Sequence, residues 1–186
     1  AVVADPDLPL GRVDVLDAGE RARVLAAGVG PVVAPSAVLV PELIGRQDPG
    51  AVALVAGGRT LTYGELSARV DDVARWLVSR GVGAESRVAV MLPRSVDLVV
   101  ALLAVWRAGG AYVPVDVDYP ADRVRYVVAD AAPVLVLSSS ELSDRVPDAG
   151  VPVVLLDKIE LGGGAELPAV RADQGAYVIY TSGSTG

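Results

Sequence analysis

Apolar residues fall into short continuous runs separated by stretches of helical period. Runs at Ala51 to Ala56, Arg87 to Leu92, Ala111 to Val115, Pro133 to Leu137, Val151 to Leu156 and Ala176 to Tyr180 lack the alternation of a half-exposed strand, and they predict strands buried on both faces. Between them, Thr62 and Glu65 have capping-box spacing and predict a helix starting at Tyr63. Its apolar residues Leu66, Val70, Val73, Ala74, Leu77 and Val78 share one face at 3.6 residues per turn, and Gly81 follows as a stop. Ser95 caps a second helix, apolar almost all round from Val96 to Trp106 and therefore buried. Asp97 in its first turn and Arg107 in its last suit the helix dipole, and Gly109 and Gly110 end it. Pro120 fits the first position of a third helix with the stripe Val124, Val127, Val128 and Ala131, and a weaker helical stretch runs from Glu141 to Val146. Strand and helix alternate, which predicts an α/β fold: an open, mostly parallel sheet with helices on both faces and flavodoxin-like winding.

The first 35 residues are different. They are rich in turn formers, with one short helix signal where Asp17 and Glu20 have capping-box spacing. Pro31, Pro35 and Pro41 punctuate a Val/Ala segment, and an amphipathic piece around Leu39 to Gln47 ends at the turn Asp48-Pro49-Gly50. The expected division is a lead-in over 1–35 and a compact domain over 36–186. Within the latter, Leu161 to Arg171, containing Gly162 to Gly164, reads as a loop.

Composition removes several kinds of chemistry. The 186 residues are 52% hydrophobic and 21% charged with a net charge of -7, which fits one globular domain with an acidic, solvated surface. There is no His and no Cys, so Cys/His zinc sites, thiol nucleophiles, disulfides and a Ser-His-Asp triad are excluded. Lys158 is the sole lysine, and the scattered arginines on an acidic chain argue against nucleic acid as a partner. The longest apolar run, Leu98 to Trp106, is far shorter than the roughly 20 residues of a membrane helix, and no leader pattern opens the chain. The expectation is a cytoplasmic protein without membrane contact. Asp71 and Asp72 lie opposite an apolar stripe and read as solvated carboxylates.

The last segment carries the chemistry. The run Ala176 to Tyr180 leads into Thr181-Ser182-Gly183-Ser184-Thr185-Gly186, where glycines permit positive φ and inward-pointing N–H groups, and four hydroxyls add donors. Open α/β sheets bind ligands where strands end. The Walker spacing and the dinucleotide Gly-x-Gly-x-x-Gly are both absent. Composition alone leaves an anion loop and a flexible Ser/Gly segment equally open.

Tyr180 to Gly186 resembles the phosphate-loop motif of the adenylate-forming superfamily. Leu61-Thr62-Tyr63-Gly64-Glu65-Leu66 and Arg107-Ala108-Gly109-Gly110-Ala111-Tyr112-Val113-Pro114-Val115-Asp116 are similar to the first two core motifs of nonribosomal peptide synthetase adenylation domains. The stretch Asp118-Tyr119-Pro120 through Arg123, Tyr126 and Asp130 resembles the family segment after the second motif, with Val117 where many members carry proline. The resemblance covers about Leu39 to Gly186. Residues Asp5 to about Ala27 are similar to the linker from a preceding condensation domain, so 1–35 is expected to be an interdomain linker.

The resemblance implies an N-terminal subdomain of an enzyme that binds ATP, Mg2+ and an amino acid. That enzyme forms aminoacyl-AMP and loads the aminoacyl group onto the phosphopantetheine thiol of a peptidyl carrier domain. Thr181, Ser182, Gly183, Ser184, Thr185 and Gly186 would hold the β- and γ-phosphates. No catalytic residue and no metal ligand is assigned within the chain. Partners implied are the rest of the adenylation domain, an upstream condensation domain and a downstream carrier domain. The sequence ends inside the motif, before the loop lysine, and the piece alone is expected to be inactive. An acyl-CoA synthetase-like ligase and a non-catalytic docking fragment are the alternatives.

Overall fold

A computed structural model of the chain describes residues 7, 9, 11, 15–34, 38–162 and 165–181. Contacts divide the chain into two units, Ala1–Ser36 and Ala37–Gly186. In the first, helix α1 (Ala18–Gly28) opens on the predicted capping box. Glu20 N–H donates to Asp17 Oδ1 at 2.7 Å, and Asp17 N–H donates to Glu20 Oε2 at 2.9 Å.

The second unit begins with a short helix, α2 (Val40–Gly45), and an Asx turn in which Gly50 N–H donates to Asp48 Oδ1 at 3.0 Å. The first apolar run is not a strand of the main sheet. It forms β1 (Val52–Ala56), which pairs antiparallel with β2 (Arg59–Thr62) as a separate two-stranded ribbon. Gly57 and Gly58, at φ +57° and +74°, supply the two positive φ values that a tight two-residue hairpin needs.

The four-stranded sheet is entirely parallel, in the order β4-β3-β5-β6, from β3 (Arg87–Val90), β4 (Ala111–Pro114), β5 (Leu135–Ser138) and β6 (Val153–Leu155). Three helices begin where the sequence places them to within one residue: α3 (Tyr63–Ser79), α4 (Val96–Arg107) and α5 (Ala121–Ala131). Pro120 is the N-cap of α5 and not its first helical residue. Its extended ψ of 147° lies outside the helix, while its carbonyl accepts from Arg123 N and Val124 N. The weak helical stretch is a 3-10 helix, Ser140–Arg145, pinned by Ser140 N–H and Oγ–H donating to the two oxygens of Asp157 at 2.9 and 2.6 Å.

Alternation along β3 builds two cores. Val88 and Val90 face α3 and α4, packing with Val70, Leu77, Val100 and Ala104, and the hairpin's Leu61 joins them. Ala89 and Met91 face the other way, onto α5, with Val113 and Val136. The apolar stripe Val124, Val127, Val128 and Ala131 is buried throughout, so helices cover both faces as the continuous apolar runs require.

The expected buried strand Ala176–Tyr180 is corrected. One parallel bridge, Tyr112 to Tyr177, joins it to the outer side of β4, and Tyr177 and Ile179 are 54% and 53% exposed. The segment has a strand neighbour on one side among the described residues, so side chains on its outer face are uncovered however apolar the run.

Two glycines of the second motif do different work. Gly109 has φ +83° and closes α4, whereas a Cβ on Gly110 would stand 3.0 Å from Ser86 O and 3.1 Å from Val82 Cγ1. Gly110→Val is expected to destabilise the fold by about 1–3 kcal/mol through overpacking, read from the denaturant midpoint. At the start of α3, Thr62 N–H and Oγ–H donate to Glu65 Oε2 at 2.8 and 3.1 Å, and Glu65 N–H donates back to Thr62 Oγ1 at 3.2 Å. These bonds, backbone first, hold the Glu65 carboxyl below its ordinary pKa. Thr62→Ala should cost about 1 kcal/mol. Because Glu65 is depressed in the folded state, its contribution is complete above the ordinary carboxylate pKa and disappears as pH falls through the lowered value. Glu65→Gln should therefore flatten the stability profile in that acid window.

Candidate functional site

Parallel strands all point their carboxyl ends to one rim. Connection β3-α4-β4 moves outward on one side of β3, and β4-α5-β5 crosses back to the other, so the helices lie on opposite faces and the rim opens between them. Beyond β3, the rim holds a cleft of about 660 Å³ between the ends of β3 and β4, lined among others by Arg94, Asp116, Asp118, Tyr119, Ile179 and Tyr180. The segment expected to lead into the phosphate loop thus forms one wall of this cleft.

Charge limits what the cleft itself can seat. One arginine faces two carboxylates there, and Asp116 and Asp118 are already engaged. Asp118 N–H donates to Asp116 Oδ1 at 2.9 Å, and Arg145 lies 3.7 Å from Asp118. With Arg145 counted, two cations balance two carboxylates, so the cleft offers a triphosphate no excess of positive charge. Across the switch between β3 and β5, Ser138 is fully buried with no hydrogen-bond partner for its hydroxyl, and Ser139 Oγ is likewise unpartnered. Among the described residues no group of three or more Asp and Glu side chains is placed to hold a metal ion.

Of the predicted site residues, Thr181 is described and lies exposed directly after Tyr180. Ser182, Gly183, Ser184, Thr185 and Gly186 lie outside the described residues. What the structure defines is the approach to them. Main-chain bonds from Tyr112 N–H to Ala176 O (3.2 Å) and from Val178 N–H to Tyr112 O (3.0 Å) fix the segment on β4. The Trp106 indole N–H donates to Ala176 O at 2.7 Å, Glu85 accepts from Gly175 N–H at 3.1 Å, and the Tyr177 ring stacks on Tyr112 at 5.7 Å. On the other face, Tyr180 O–H donates to Asp130 on α5, and Arg123 lies over the Tyr126 and Tyr180 rings. Burial first, and then the bond to Asp130 and its charge, push the Tyr180 phenol up to about 12.

The sequence reads Trp106 as a packing residue and assigns no role in the site to Tyr177, Arg123 or Asp130. A usable signal existed: positions 123, 126 and 130 are spaced i, i+3, i+7 and share a helix face beside the apolar stripe. Asp71 also differs from expectation. It is half-exposed and accepts from Arg107 Nε at 2.9 Å, joining α3 to the end of α4, whereas Asp72 is exposed as expected.

Known proteins agree with this architecture. The family of AMP-binding enzymes matches residues 42–186. A dimodular nonribosomal peptide synthase of Bacillus subtilis is 36% identical over 202 residues, covering 100% of this chain and 8% of that protein. The AMB antimetabolite synthetase AmbB of Pseudomonas aeruginosa is 41% identical over 194 residues, covering 99% of the chain and 15% of the synthetase. The chain thus spans a small fraction of these curated relatives. Among solved structures, the AMPPNP-bound form of the nonribosomal peptide synthetase FmoA3 superposes with a TM-score of 0.76 at 32% identity, over 87% of this chain and 18% of that one. The chain belongs to the AMP-binding enzyme family. Within it, the fold is that of the N-terminal subdomain of an adenylate-forming enzyme, and the relatives place the sequence among nonribosomal peptide synthetase adenylation domains.

The indole tie yields a direct test. Trp106→Phe keeps the ring contact with Tyr112 and removes the donor to Ala176 O, so the amide of Val178 should exchange with solvent roughly 5-fold faster, about 1 kcal/mol of local opening. Amides of β3 should not change.

Proposed function

We propose that residues 36–186 are part of an adenylation domain that activates an amino acid with ATP as aminoacyl-AMP and passes it to the phosphopantetheine thiol of a carrier domain. Residues 1–35 are then the linker from a condensation domain, in a cytoplasmic multidomain synthetase. The observation that carries the reading is the emergence of Tyr180-Thr181 at the carboxyl rim of a parallel sheet, followed in sequence by five glycine and hydroxyl residues.

The physical problem is the approach of two anions. A carboxylate oxygen attacks the α-phosphorus of ATP as the bond to the pyrophosphate oxygen breaks, and pyrophosphate leaves with that electron pair. In the second step the carrier thiol attacks the acyl carbon and AMP departs. N–H and hydroxyl donors of Thr181 to Gly186 hold the β- and γ-phosphates in line and stabilise the charge that collects on the leaving pyrophosphate. Mg2+, when bound, would supply further charge neutralisation. Residues 1–186 alone are expected to support no exchange.

The test is amino-acid-dependent ATP-pyrophosphate exchange by the complete synthetase. One or a few amino acids should support exchange, and Ser182→Ala or Thr181→Ala should lower it about ten- to a hundredfold, the weight of a hydrogen bond to a charged group. Exchange driven by fatty or aryl acids, with CoA as acceptor and no response to amino acids, would place the protein with the acyl-CoA synthetases instead.

A further inference from the structure

Two main-chain bonds hold Ala176 and Val178 to β4, and beyond Val178 the ties described for Tyr180 come from side chains on α5. Three residues of that helix converge on it. Tyr180 O–H donates to Asp130 Oδ2 at 2.5 Å, the Tyr126 ring meets the Tyr180 ring edge-on with centroids 6.1 Å apart, and the Arg123 guanidinium stands 5.9 Å from the Tyr180 centroid and 5.3 Å from that of Tyr126. The edge of one ring and a cation over both are attractive arrangements for aromatic quadrupoles. The helix that presents them is rigidly seated, since Val124, Val127 and Ala131 are each 1% exposed in the second core. Tyr180 is the residue before Thr181, so whatever fixes its phenol end and ring fixes the first residue of the loop.

We propose that Asp130, with Tyr126 and Arg123, is a positioning site for the phosphate loop, holding Tyr180 from α5 so that the loop begins in its binding geometry. The inference rests on the proposed function, in which Thr181 to Gly186 hold the β- and γ-phosphates of ATP. The three residues act on the loop through Tyr180. A loop whose start is tethered loses less freedom on binding, and a side-chain anchor on a buried helix supplies that preorganisation where the segment's strand pairing is thin.

The consequence separates ATP from AMP. An anchor for the loop that holds β- and γ-phosphates affects ligands that carry them, whereas a general loss of structure weakens both nucleotides alike. In the complete synthetase, titration calorimetry with a non-hydrolysable ATP analogue and with AMP should show Tyr180→Phe and Asp130→Ala weakening the analogue about three- to tenfold, with AMP affinity unchanged. Asp130→Asn should recover most of the loss, because its amide oxygen still accepts from the phenol. Tyr180→Phe combined with Asp130→Ala should be no weaker than either alone, as for two ends of one bond. Unchanged analogue affinity in both single variants, equal weakening of analogue and AMP, or an Asp130→Asn variant as weak as Asp130→Ala would each overturn the proposal. A wild-type protein that binds the analogue without amino-acid-dependent exchange defeats the functional reading and leaves the anchor to be judged by the variants. A wild-type protein that does not bind the analogue overturns both.

Discussion

Strand β3 has no free edge and no polar face, and the arrangement of the second unit depends on that. It pairs with β4 on one side and β5 on the other, and Val88, Ala89 and Val90 are at most 1% exposed. A parallel strand of this kind is stable only when both faces of the sheet are covered. Helices α3 and α4 cover one and α5 the other, which forces the crossovers to opposite faces and leaves the carboxyl rim as the uncovered border where a ligand can approach polar backbone groups. Cleft, unpartnered Ser138 hydroxyl and the start of the expected loop all lie at or beside that rim.

Legibility in the sequence tracked how local the determining physics is. Caps at Asp17, Thr62 and Ser95 and the stripe of α5 could be read off because each depends on residues three or four apart. Runs such as Ala51 to Ala56 and Ala176 to Tyr180 were ambiguous for the opposite reason. An apolar run shows that a segment can be buried, but its neighbours decide whether it is. The first turned back on itself at Gly57 and Gly58 into a hairpin, and the second lies along β4 with Tyr177 and Ile179 uncovered. Strand ends moved by up to two residues, because pairing partners and not hydropathy set them: β3 ends at Val90 although Met91 and Leu92 continue the apolar run.

The site shows the same divide. The composition of Thr181 to Gly186 left an anion loop and a flexible segment equally open, and the motif resemblance is what favours a loop for the phosphates of ATP. The partners of Tyr180 come from α5, fifty residues earlier for Asp130, and no local pattern joins the two. Trp106 is similar, reading as packing in a buried helix while its indole N–H reaches the carbonyl of Ala176. Tertiary ties of this length are visible once the sheet places both elements at one end.

A structure of the complete adenylation domain with a non-hydrolysable ATP analogue tests the central claim most directly. The account predicts the β- and γ-phosphates within hydrogen-bond distance of Thr181 to Gly186 at the carboxyl rim, with Tyr180 still bonded to Asp130. A triphosphate bound away from that rim, or a loop reached with Tyr180 turned off α5, would contradict it.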